Sequence, residues 1–292
     1  MRVFLLGFLD SHIYDETTAN RLAEHGHFLF RRGLDKKEKY SEDDVLIRYG
    51  NYSYASYDKS FGKVINRARA IRHNCNKLNT HIKLQEHGFR VPKIFLTKKE
   101  IEESDLPIMR RQARHSRASD IRIITSMDNF IKGSYYAELI PSVEEYRFHI
   151  MFNSCLRISK KVPKKKEKKT SDIIRSSTTG WTFIDSFKHN IKLENLAIKD
   201  CLEALSFLGL DFGACDVIIN KENNLPYLLE INTCPRLGSY GREVYVKEFL
   251  NQLELPLKDI KLGKVKDYEF DSLMMKYRQA TKYKPTREDL EI

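Results

Sequence analysis

Residues 213–232 read GACDVIINKENNLPYLLEIN and place three oxygen donors where they can meet. Two apolar runs, 214–219 and 227–231, flank the polar segment Lys221-Glu222-Asn223-Asn224, a pattern of strand, short loop and strand. A loop centred on Asn223 sets Asp216 opposite Glu230. Asn232 then shares a face with Glu230, because strand side chains repeat every second residue. Two carboxylates side by side among apolar neighbours are costly unless a cation lies between them. A hard divalent ion such as magnesium takes oxygen ligands and bridges substrate phosphates, and so meets that need. A one-residue shift of the turn breaks the facing pair. An exposed hairpin with solvated acids is the plainer alternative.

Basic side chains supply a second constellation. Residues 146–152 and 156–162 read as a hairpin turning at Asn153-Ser154, which sets Arg147 opposite Lys160. Two facing cations repel unless an anion separates them, and a phosphate would serve. Two solvated side chains on an open face explain the pattern equally well. Lysines 164, 165, 166, 168 and 169 follow in one loop. Such a run reads as a solvated, mobile segment, suited to steering an acidic acceptor and poorly suited to rigid positioning.

Other elements must hold these groups. Residues 3–8, 28–30 and 45–48 read as strands, with a short helix between the first two, capped by Thr17 or Thr18 and stopped at Gly26. This predicts a small α/β unit over residues 1–70. Residues 67–88 read as one helix with an imperfect apolar face, stopped at Gly88. Short strands follow at 108–111 and 121–125, around the loop QARHSRASD, and at 135–140. Residues 191–208 form an amphipathic helix stopped by Gly209. The chain reads as three parts: 1–70, 71–250 and a polar extension over 251–292.

Composition sets the limits. At 292 residues the chain can bury a sizeable core in more than one domain. No apolar run approaches the roughly 18 residues of a membrane span, and the start MRVFLLGFLDSH reads as a strand and not a signal peptide. Five dispersed cysteines without CxxC spacing predict reduced thiols in a cytoplasm and no zinc site. The net charge of +11 favours anionic partners without choosing among them.

Four stretches, in order, resemble the ATP-grasp family, the group of ribosomal-protein glutamate ligase and D-alanine–D-alanine ligase. They are Asn76-Lys77 with Leu84 and Gly88-Phe89-Arg90-Val91-Pro92; Pro107-Ile108-Met109-Arg110-Arg111 with His115-Ser116; Ala137-Glu138-Leu139-Ile140 with Glu145-Tyr146-Arg147; and Gly213-Ala214-Cys215-Asp216 with Leu229-Glu230-Ile231-Asn232-Thr233-Cys234-Pro235. The resemblance implies an α+β fold, with two subdomains gripping a nucleotide behind a small α/β domain. It implies ATP and magnesium as cofactors, and a carboxylate activated as an acyl phosphate before capture by an amine. Asp216, Glu230 and Asn232 match the family's metal ligands. Lys77 and Arg111 match its phosphate-contacting cations. Arg110 and Arg111 lie on opposite faces, and only one can face the nucleotide. Glu138, with the backbone of Leu139 and Ile140, matches the adenine hinge. Glu145, with Glu144 as the adjacent alternative, matches the ribose contact. Arg147 matches the arginine near the transferred phosphate, and Lys160 joins it through its cross-strand position alone. The phosphate-covering loop of the family is usually glycine-rich, whereas HSRASD contains no glycine.

The leading expectation is therefore an ATP-dependent carboxylate–amine ligase acting on small-molecule or peptide substrates. A small-molecule kinase on the same fold differs only in the acceptor. A nucleic-acid or acidic-protein binding module would use the lysine loop. The acidic hairpin argues against that module, because carboxylates repel phosphate without a metal.

Overall fold

A computed structural model describes residues 1–7, 13–112, 121–165 and 168–255. Strand β1 (Val3–Leu6), helix α1 (Ile13–Gly26) and strands β2 (Leu29–Arg31), β3 (Val45–Arg48) and β4 (Lys63–Ile65) open the chain. The strands form a parallel sheet in the order β2-β1-β3-β4. Every residue of β1 and β3 is buried, as a strand covered on both faces requires. Helix α1 begins at Ile13, ahead of the threonines expected to cap it.

Asn66 fastens this unit to the rest of the chain. It is fully buried, with φ 60°. Its Oδ1 accepts from the backbone of Asp211 (2.7 Å) and Phe212 (3.1 Å), and its Nδ2 donates to the carbonyl of Phe212 (3.0 Å).

The single helix expected over 67–88 is two, α2 (Ala68–Asn74) and α3 (Lys77–Glu86). Asn76 breaks it. Its backbone is extended and its side chain accepts from the amide of Asn79, because a short polar side chain competes for local amides and starts a helix in preference to continuing one. Lys77 thereby becomes the first residue of α3.

Strands β5 (Ile94–Phe95), β6 (Ile108–Arg111), β7 (Arg122–Ile124) and β8 (Tyr135–Glu138) form an antiparallel sheet in the order β5-β8-β6-β7. A second antiparallel sheet follows: β9 (Ser142–Met151), β10 (Ser154–Pro163), β11 (Trp181–Ile184), β12 (Phe212–Asn220) and β13 (Pro226–Asn232), in the order β11-β10-β9-β12-β13. Helix α4 (Ile191–Phe207) covers one face of it. Leu193, Ala197, Cys201 and Leu205 meet Tyr146, Phe148, Ile158, Cys215 and Val217 there. Strand alternation then throws Glu145, Arg147, Lys161 and Asp216 to the opposite face. Helix α5 (Ser239–Gln252) returns to the first sheet, where Tyr245, Val246 and Phe249 share a core with Val3, Leu5, Ala19 and Ile47.

Two registers differ from expectation. The β9–β10 turn falls at residues 152 and 153, one residue early, and a bulge at Leu156 recovers part of the offset. Arg147 therefore faces Ser159, while Lys160 faces Tyr146 on the other side of the sheet. In the β12–β13 hairpin, Ile219 pairs Pro226 and Val217 pairs Leu228, one residue out of step with a turn centred on Asn223. Leu229 then bulges, and Asp216 pairs Glu230 after all.

Replacing Asn66 by Ala should strand the two amides it caps. The expected loss is about 3 kcal/mol of stability, read as a lower urea unfolding midpoint at unchanged slope.

Candidate active site

A cleft of about 1070 Å³ opens between the two antiparallel sheets. Met109, Arg111, Leu139 and Ile140 line one side. Glu145, Arg147, Lys161, Asp216, Leu229 and Glu230 line the other, with Lys77 at the base of α3. Ligand clefts run to about 300–1,000 Å³, so this one can hold a large ligand.

The facing carboxylates are balanced by protein cations. Arg147 grips Asp216 with two bonds, Nε to Oδ1 at 2.6 Å and Nη2 to Oδ2 at 2.7 Å. Lys77 Nζ lies 2.5 Å from Glu230 Oε2, and Asn232 Nδ2 donates to Glu230 Oε1 at 3.2 Å. Burial works against the charge on Glu230, but Lys77, Arg111 and Arg147 together outweigh it and hold the carboxyl well below its ordinary range. Burial likewise works against the charge on Arg147. Asp216 overcomes it, aided by Glu230 and Glu145, and the guanidinium stays charged.

Next to this pair lies a third. Lys161 Nζ bonds Glu145 Oε1, and burial pushes the Glu145 carboxyl upward despite that lysine. The Arg147 guanidinium lies 4.4 Å, and the Lys161 ammonium 5.0 Å, from the centroid of the Phe183 ring, within the range of cation–π attraction.

The bulge has a second effect. It lets one strand present two consecutive side chains, Leu229 and Glu230, to the same cleft. The carbonyl of Leu229 accepts from His81 Nε2 at 2.7 Å. A carbonyl can only accept, so this nitrogen carries the proton. Burial, with Arg111 adding to it, pushes the ring down to about 4 and keeps it neutral at pH 7.

Most expected site residues meet here. Lys77, Arg111, Leu139, Ile140, Glu145, Arg147, Asp216 and Glu230 all line the cleft, and Asn232 touches Glu230. Of the neighbouring arginines, Arg111 faces the cleft, while Arg110 Nε donates to the carbonyl of Lys132. Lys160 is not part of the site. Its register turns it to the α4 face, where it pairs with Glu144, and Lys161 holds the place expected of it. Glu138 also turns aside, its Oε2 accepting from the amide of Lys93 at 3.1 Å.

Lys161, Phe183 and Arg175 were not expected. Arg175 donates to Ser142 Oγ (3.1 Å) and to its carbonyl (2.9 Å), at the start of β9. The lysine loop is partly tied down, since Lys164 Nζ donates to the carbonyl of Ser177 and Lys169 pairs with Asp172. Lys165 and Lys168 are exposed. Lys166 and the glycine-free loop at 115–120 lie outside the described residues.

The donor set suits a hard cation: two cross-strand carboxylates with an amide beside them. Each carboxylate already holding a protein cation keeps further lone pairs. Among the described residues no group of three or more His, Cys, Asp and Glu side chains assembles. An ion here would therefore draw its other ligands from substrate oxygens or water, as magnesium does.

No family model and no curated protein sequence matches the chain. Solved structures do. D-alanine–D-alanine ligase from Bacillus anthracis superposes with a TM-score of 0.63 at 13% identity, over 97% of this chain and 99% of the ligase. N5-carboxyaminoimidazole ribonucleotide synthetase from Thermotoga maritima gives 0.59 at 15% identity, over 90% of this chain and 78% of the synthetase. The ATP-grasp ligase PsnB, complexed with a minimal precursor, Mg and ADP, gives 0.59 at 11%, over 86% and 98%. The architecture is α+β, with a cleft between two antiparallel sheets. It is the ATP-grasp fold.

Arg147→Met should leave Asp216, whose side chain is 7% exposed, as a buried and unpaired carboxylate. The expected loss is about 3 kcal/mol in chemical denaturation. Adding Asp216→Asn to that variant should recover part of it.

Proposed function

We propose that the chain is an ATP- and magnesium-dependent ligase that joins a carboxylate to an amine through an acyl phosphate. One observation carries the reading. The facing acids Asp216 and Glu230 stand in an ATP-grasp cleft together with the cations Lys77, Arg111, Arg147 and Lys161. Phosphoryl transfer is mostly positioning and stabilisation of spreading negative charge. It needs metal carboxylates and basic side chains converging on one space.

The apolar end of the cleft, with Met109, Leu139, Ile140 and Leu229, takes the adenine. Glu145 takes the ribose hydroxyls. Lys77 and Arg111 hold the phosphates. Asp216, Glu230 and Asn232 would hold magnesium, which when bound would supply positive charge against the phosphates. A substrate carboxylate oxygen attacks the γ-phosphorus and ADP leaves. The amine then attacks the acyl carbon, inorganic phosphate leaves and the amine loses a proton. Arg147 and Lys161 face the charge that develops in both steps.

Four further points are consistent with the reading. PsnB shares the fold and is described with a precursor, magnesium and ADP. The exposed lysines of the 164–169 loop suit an acidic acceptor drawn in by long-range attraction. All five cysteines are free thiols, in keeping with a reducing cytoplasm. Among the described residues no helix is long and apolar enough to cross a membrane.

The deciding experiment is an ATPase screen over carboxylate and amine pairs, with mass spectrometry of the product. An amide supports the ligase; a phosphoester identifies a kinase. Glu230→Gln should lower turnover by more than about 100-fold while circular dichroism is unchanged; turnover within about threefold of wild type would reject the metal assignment. ATP with magnesium should raise the melting temperature, since it binds the native state alone. The absence of any shift at millimolar ATP, with calorimetry equally silent, would reject nucleotide binding.

A further inference from the structure

Among the described residues strand β13 is the outer strand of its sheet, so no described strand pairs with the polar groups on its far edge. The segment from α2 to Arg90 supplies their partners. The amide of Leu228 donates to the carbonyl of Arg90 (2.8 Å), and Arg90 Nε donates to the carbonyl of Pro226 (3.2 Å). His81 Nε2 donates to the carbonyl of Leu229 (2.7 Å), and Asn74 Nδ2 donates to that of Ile231 (2.6 Å).

The last two contacts grip the strand on either side of Glu230. His81 and Asn74 are 3% and 8% exposed. Each leaves its other polar atom, His81 Nδ1 and Asn74 Oδ1, buried with no hydrogen-bond partner. Such an orphan is destabilising, and an apolar residue would avoid it. The hydrogen bonds to β13 are what these side chains offer in return.

Their place in the register gives that grip a role. From Ile219/Pro226 to Val217/Leu228 the ladder runs in step. Continued in step, it would set Leu229 opposite Asp216 and turn Glu230 towards the α4 core. Only the bulge at Leu229 prevents this, and His81 holds the carbonyl of that residue.

We propose that His81, aided by Asn74, is a positioning residue that pins the bulge so that Glu230 stays opposite Asp216 on the cleft wall. The inference rests on the metal–nucleotide reading of the site. It makes α2 and α3 part of the metal site although neither supplies a ligand.

The test uses the full-length protein and Mn²⁺, a magnesium substitute that electron paramagnetic resonance counts directly, titrated with saturating ADP. His81→Phe keeps a ring and removes the donor. It should weaken Mn²⁺ binding about tenfold, or about 1.4 kcal/mol, while ADP binding in EDTA changes little. His81→Gln, whose Nε2 can reach the same carbonyl, should restore Mn²⁺ binding to within about threefold of wild type. Mn²⁺ binding by His81→Phe equal to wild type would overturn the proposal, as would an equal loss of Mn²⁺ and of metal-free ADP binding. Should His81→Phe not fold, Asn74→Leu gives the same reading from the other side of Glu230. Failure of the wild type itself to bind Mn²⁺ with ADP would bring down the nucleotide reading and this inference together. A binding wild type matched by His81→Phe would remove only the positioning role.

Discussion

Two carboxylates on adjacent strands, Asp216 and Glu230, set the terms for everything around them. Unit charges about 4 Å apart interact by about 4 kcal/mol at an effective dielectric of 20, a large share of the stability of a whole domain. The pair cannot be left unbalanced. Its counter-charges come from three separate elements: Lys77 from α3, Arg111 from β6 and Arg147 from β9. The two antiparallel sheets and the α2–α3 segment are thereby drawn to one another across the cleft by charge. The same cations would answer to phosphate oxygens under the proposed activity, so one arrangement serves both stability and binding.

Much of this was legible in the sequence, and the successes have differing grounds. The acid pair was found because an apolar hairpin with two internal acids has few solutions. Its register was nonetheless reached through a cancellation: the strands leave the turn one residue out of step, and Leu229 corrects them. A bulge carries no signal in a strand of ordinary apolar residues. The hairpin of β9 and β10 shows the same weakness without the rescue. There the bulge at Leu156 recovers only part of the offset, and the site lysine becomes Lys161 where the sequence suggested Lys160.

The rest was illegible because it depends on contacts between distant residues. His81 and Leu229 are separated by 148 positions and Arg175 and Ser142 by 33, and no local periodicity encodes either meeting. The break between α2 and α3 was legible in principle. Asn76 is a strong capping residue followed by a lysine, but the apolar spacing across it read as continuous. The side chain of Glu138 was assigned to the hinge by its neighbours' pattern, whereas the amide of Lys93 claims it.

Helix α5 closes the first sheet from the far end of the described chain. Phe249 stands 6.3 Å from Phe28, Lys63 Nζ donates to the carbonyl of Gln252, and Tyr49 donates to the carbonyl of Pro235. The order of synthesis gives this a consequence. A ribosome adding about 5–20 residues per second makes the four parallel strands roughly ten to forty seconds before the helix that covers them. Over that interval Val3, Leu5, Val45 and Ile47 have α1 for cover, joined only later by Met151, Leu156 and Phe212 of the second antiparallel sheet. The face that α5 covers therefore stays incomplete on the nascent chain until residues 239–252 have emerged.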